Sequence, residues 1–120
     1  MTTRDTVQAY HRARFAGDVT AAAAQLADTF AFRSPLITSA DARGHLDGLA
    51  AFVGIVTEVE MLSELYGDSE ATLVYDVHTA TPVGVQHTAE HFRLRDGKIE
   101  AISLIFDATR WHPLMAAGRR

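Results

Sequence analysis

Cysteine is absent from the 120 residues, which removes disulfides, thiolate catalysis and cysteine-ligated zinc from consideration. Basic residues are in the minority, 11 Lys and Arg against 15 Asp and Glu, and the net charge of −4 leaves no basic stripe for nucleic acid. No apolar run approaches the roughly 20 residues that cross a bilayer. The N-terminus, Met1-Thr2-Thr3-Arg4-Asp5, lacks the apolar stretch of a secretion signal, so no membrane partner and a cytoplasmic location are expected. Proline is scarce: of three, Pro35 and Pro82 fall where the pattern already breaks. What remains is a chain that is 48% apolar and long enough for one domain over 1–120 with a real core.

The pattern is helical first and strand-like afterwards. Residues 3–16 read as a helix capped by Thr3, with Val7, Tyr10, Ala13 and Arg14 at helical spacing. Gly17 ends it and Asp18 caps an alanine-rich second helix over 19–27. Residues 29–34 alternate like a short strand that Pro35 stops, and 36–44 read as a polar rim loop. Leu46, Leu49, Phe52 and Val56 mark a third helix. The period then becomes two, giving strands over 59–66, 70–79, 84–95 and 98–107, with Gly67-Asp68, 81–84 and Asp96-Gly97 as turns. Arg119-Arg120 reads as a frayed basic tail. Helices followed by a meander predict an α+β fold: a cone-shaped, curved antiparallel sheet on three N-terminal helices, with a pocket between them.

One residue stands out. Glu90 sits in the body of the strand before the Asp96-Gly97 turn, among Phe92, Leu94, Ile99 and Ile102. A carboxylate buried there without a partner costs several kcal/mol or stays protonated. If the hairpin between Asp76 and Glu90 is centred on Val83, the two acids face each other and one pKa rises, which makes an acid and a base. A different register turns Asp76 to solvent. His78 shares a face with Asp76 and would be an oriented base beside it. For Glu90 the plainer alternative is an ion pair with Arg33 or Arg93. For Tyr10 it is a core phenol with a satisfied hydroxyl. His87 and His91 alternate on one face, but no third ligand follows, so no metal is expected. His11, His45 and His112 read as surface or rim residues. Asp107 reads as a cap on the turn after the last strand.

Three segments together resemble the nuclear transport factor 2-like superfamily, in the ketosteroid isomerase and SnoaL-like polyketide cyclase branch. They are Tyr10 with Gly17-Asp18 and 26–35; Gly44 through Phe52; and the hairpin Ala89 through Asp107. The resemblance implies a cofactor-free enzyme of isomerase or cyclase type acting on an apolar carbonyl compound, with the enolate stabilised by Tyr10 and a protonated Glu90. Asp76, or Asp76 with His78, would move the proton, because the isomerase general-base position falls on Ser34. The limonene epoxide hydrolase branch offers a second comparison in which its strand acid resembles Asp76, while its other two positions hold Val74 and Leu104. Substrate contacts are expected from Phe32, Arg33, Ser34, Phe52, Phe92, Leu104 and Phe106. Trp111, Met61 and Leu65 are further candidate walls. The resemblance also implies a homodimer through the outer sheet face, where Tyr75, Val77, His87, His91 and Ile105 would lie. The alternative is a non-catalytic module that binds a small apolar molecule or serves dimerisation.

Overall fold

The computed structural model describes residues 1–117. The first helix, α1 (Thr3–Phe15), starts where the sequence suggests, but its cap is Thr2 and not Thr3: the Thr2 hydroxyl accepts from Asp5 N while the Asp5 carboxylate accepts from Thr2 N. Helix α2 (Val19–Ala23) is a single short turn capped by Asp18. It is shorter than predicted because Leu26 already belongs to β1 (Leu26–Arg33), which pairs in parallel with a strand from the far end of the chain. Within the expected rim loop, β2 (Thr38–Ser39) returns antiparallel to β1. Helix α3 (Ala42–Val53) follows, capped by Asp41, and ends before Val56, which opens β3 (Val56–Tyr66).

The meander continues through β4 (Glu70–Thr79), β5 (Val85–Arg95) and β6 (Lys98–Ile105). The six strands form one sheet in the order β2-β1-β6-β5-β4-β3. The turn between β5 and β6 has both central residues at positive φ, Asp96 at 51° and Gly97 at 76°, the geometry that matches strand twist in a tight hairpin. The pairing shifts between Arg93 and Leu94, so Glu100 is an extra residue in β6 and the inward positions run Ile99, Ile102, Leu104. A short helix not expected from the sequence, α4 (Trp111–Ala117), closes the described chain. Asp107 precedes it and accepts from Thr109 N. The Arg119-Arg120 tail lies outside the described residues.

The core lies between the inner sheet face and the helices. Val7 and Tyr10 of α1 meet Phe30, Leu73, Phe92, Ile99 and Ile102 from the strands, all essentially without exposure. On β5 the inward residues are Gln86, Thr88, Glu90, Phe92 and Leu94, so the strand delivers Glu90 to the interior by simple alternation. Leu65, an expected wall, points outward and is exposed. Among the described residues no helix is long and apolar enough to cross a membrane.

Candidate functional site

Glu90 lies in the interior on β5, and its partner is Arg14 from α1. The guanidinium meets the carboxylate side by side: Nη1 donates to Oε2 at 2.7 Å and Nη2 to Oε1 at 2.6 Å. The Tyr75 hydroxyl, from β4, donates to Oε1 at 2.6 Å. Arg14 Nη2 also reaches His11 Nδ1 at 2.8 Å; arginine only donates, so that imidazole nitrogen accepts and the ring proton sits on Nε2. The rings of Phe15 and Tyr10 flank the cation, 4.9 and 5.0 Å from its carbon. Arg14 Nε is buried and has no partner among the described residues.

This geometry corrects the expected state of Glu90. Burial alone raises its pKa, but the Arg14 charge and the hydrogen bonds from Arg14 and Tyr75 outweigh it and hold the carboxyl below its ordinary value. Glu90 is therefore ionised and is not a neutral donor. Arg14 is also favoured in its charged form, since Glu90 more than offsets the burial. For Tyr75, burial and the adjacent carboxylate keep the phenol protonated. Neither Arg33 nor Arg93 reaches Glu90.

Next to this cluster is a partly open cavity of about 140 Å³ with mainly apolar walls. Phe32, Phe52, Leu104 and Phe106 line it, and so does Ser34. Trp111 closes one side, held by its indole N–H donating to Gln86 Oε1 at 2.8 Å. The wall from α3 includes His45 and Gly48. His45 is buried, not a surface residue, with its Nε2 2.6 Å from the Tyr10 hydroxyl. Tyr10 has no other acceptor among the described residues, so its O–H donates and the imidazole proton is placed on Nδ1. Burial, with Arg14 nearby and Glu90 opposing, pushes the His45 pKa down to about 4, and the ring is neutral.

The remaining expected residues fall elsewhere. Tyr10 stands behind the cavity wall as a core phenol, and Phe92 packs edge-on against it, fully buried, away from the cavity. Ser34 is occupied by its own turn, its hydroxyl accepting from Leu36 N and Ile37 N and donating to Ile37 O. Arg33 is on the outer sheet face. Asp76 and His78 are there too. The hairpin pairs Asp76 with His87 and Glu90 with Leu73, so each partner is shifted by three residues from the pairing that a centre at Val83 requires, and an odd shift reverses the face. Asp76 Oδ1 meets His87 Nδ1 at 2.6 Å, and His78 Nε2 is 3.9 and 3.8 Å from Glu58 and Glu60. The same parity turns Tyr75 and Val77 inward, so they do not belong to an outer interface, whereas His87, His91 and Ile105 do lie outside. No group of three or more metal-ligating side chains occurs among the described residues.

Sequence reasoning missed Arg14, His45 and Tyr75 as site residues. The available signal was Arg14 itself, a charge four positions after Tyr10 on the apolar face of α1, where it needs a buried counter-charge.

No family model and no curated protein matches the chain. Solved structures do. A protein from Kribbella flavida DSM 17836 is 30% identical, with 96% of this chain and 94% of that one covered and a TM-score of 0.84. An NTF2-like protein of unknown function from Cytophaga hutchinsonii is 19% identical over 96% of each chain, with a TM-score of 0.76. A candidate polyketide cyclase from Sinorhizobium meliloti is 18% identical, with 83% of this chain and 93% of that one covered and a TM-score of 0.75. The chain thus belongs to one family with the Kribbella flavida protein, and it shares the fold of the NTF2-like proteins.

Proposed function

We propose that this domain binds a mostly apolar small molecule carrying a carbonyl or phenol oxygen, and that it acts as a ligand-binding module. The observation that carries this is the apolar cavity of about 140 Å³ at whose charged end both Glu90 oxygens are already engaged by Arg14 and Tyr75. A cavity of about this volume accepts a benzene-sized ring in an apolar interior. A proton shuttle finds little support: Asp76 is on the opposite sheet face, Ser34 is held in its turn, and both Glu90 oxygens are committed.

One observation favours the second reading, an isomerase- or cyclase-type enzyme. His45 is a neutral imidazole on the cavity wall, oriented by Tyr10, and such a ring can polarise a ligand carbonyl by donating a hydrogen bond. The likeness to the Sinorhizobium meliloti protein is in keeping with that reading at the level of fold.

Calorimetric titration with p-cresol and with toluene tests the binding reading. Both are expected to bind, p-cresol more tightly, and Gly48→Leu is expected to abolish both signals by filling the cavity. Absence of binding by either compound, or binding unaffected by Gly48→Leu, would overturn the proposal. Ultraviolet monitoring of a β,γ-unsaturated ketone separates the two readings. Conversion to the conjugated ketone that is lost in His45→Gln would establish the enzyme.

A further inference from the structure

We infer that the outer face of the sheet carries a second binding site, a cationic groove for a small oxyanion of the phosphate or carboxylate type. The groove has a volume of about 300 Å³ and lies over β6, between Arg33 on β1 and Arg93 on β5. Its position follows from the register. Arg33 and His91 both pair with Ser103, from opposite sides, and Ala31 and Arg93 both pair with Ala101. All six residues face outward. The middle strand therefore offers only a methyl group and a hydroxyl as floor, while the neighbouring strands raise two guanidinium groups and an imidazole as walls. Strands spaced roughly 4.8 Å apart put the two arginines on either side of a gap that long side chains can bridge.

The charge is poorly balanced. Arg33 is exposed and makes no ion pair among the described residues. Arg93 and His91 share one carboxylate, Glu70, which stands 3.7 Å from Arg93 and 3.5 Å from His91, too far for well-formed charged hydrogen bonds. His91 Nδ1 is also 3.1 Å from Thr72 Oγ1. In a chain of net charge −4, such a local excess of cation over a recess is a site for an anion, and paired guanidinium groups suit the planar or tetrahedral oxygens of carboxylate or phosphate. Glu70 acts as the internal competitor. This site is separate from the cone and stands whether or not the cone binds a ligand.

The test is a two-dimensional NMR titration of the full chain with inorganic phosphate, and separately with succinate, at constant ionic strength. Saturable shifts at the amides of Arg33, Ala101 and Ser103 are expected. Arg33→Gln and Arg93→Gln, both at exposed positions, should each weaken binding about fivefold or more, and Glu70→Gln should tighten it. Whichever anion saturates at lower concentration identifies the oxyanion. Shifts that follow chloride equally, that do not saturate, or that persist in Arg33→Gln would overturn the assignment. A dimer by light scattering, together with protection of these amides from hydrogen exchange that is lost on dilution to the monomer, would also overturn it.

Discussion

Arg14 and Glu90 are 76 positions apart in the chain and meet in the interior through two parallel hydrogen bonds, with Tyr75 supplying a third to the same carboxylate. The relationship ties the first helix to the fifth strand by charge where the rest of that contact is apolar.

Removing one partner should hurt more than removing both. Arg14→Met leaves a buried carboxylate without its counter-ion and should cost about 3–5 kcal/mol. The double variant Arg14→Met with Glu90→Leu should recover much of that loss. Urea unfolding at neutral pH measures both, and equal midpoints for the single and double variants would contradict the pairing.

Acid should weaken the fold in two steps. His45 and His11 both have folded pKa values pushed down to about 4, chiefly by burial, from an ordinary 6.5. As pH falls from 6.5, the unfolded chain takes up protons that the folded chain refuses, so stability declines until pH passes about 4. For His45 alone the loss is on the order of 3 kcal/mol by the end of that range. Glu90, whose folded pKa lies below its ordinary value, adds a loss as pH falls below that value and then through the folded one. Urea midpoints between pH 7 and 4 should trace the histidine step, and His45→Gln should flatten part of it.

Phe92→Ala removes a fully buried ring that packs against Tyr10 and should cost about 3–5 kcal/mol. Gly97→Val should also destabilise, because φ at this position is +76° and β-branched residues resist it; Gly97→Asn should be tolerated better. Thermal unfolding compares the three.

Gly48→Leu should fold at least as well as the parent. An added side chain there meets no atom within 4 Å at its first carbon, and leucine should gain up to about 1 kcal/mol in the interior of α3. Unchanged or raised stability with loss of cavity binding is the expected pair of results, read by thermal unfolding and calorimetry.

The sequence carried the fold further than the site. Alternation and turn residues defined the meander because each signal is local: Asp96-Gly97 marks a hairpin wherever it occurs between apolar strands. The facing of Asp76 was not local. It depends on how the 79–85 connection is wound, with Gly84 at φ +70° and Thr79 N bonded to Gly84 O, and an odd offset sends the acid outward. Glu90 was legible as buried, but its charge state depended on a residue in another element. His45 was invisible for the same reason: a lone histidine near a helix start carries no sign that a tyrosine hydroxyl will meet it.

The parallel pairing of β1 with β6 has a consequence for how the chain is made. Strand β1 leaves the ribosome well before the strand it pairs with, β6, because the two lie more than 60 residues apart in the chain. Until residues 98–105 emerge, β1 lacks the strand that ties it into the sheet, and Arg14 likewise waits for Glu90. The domain should therefore acquire its native packing only once β6 has emerged, with the apolar residues of β1 open to chaperones or to a neighbouring nascent chain in the interval.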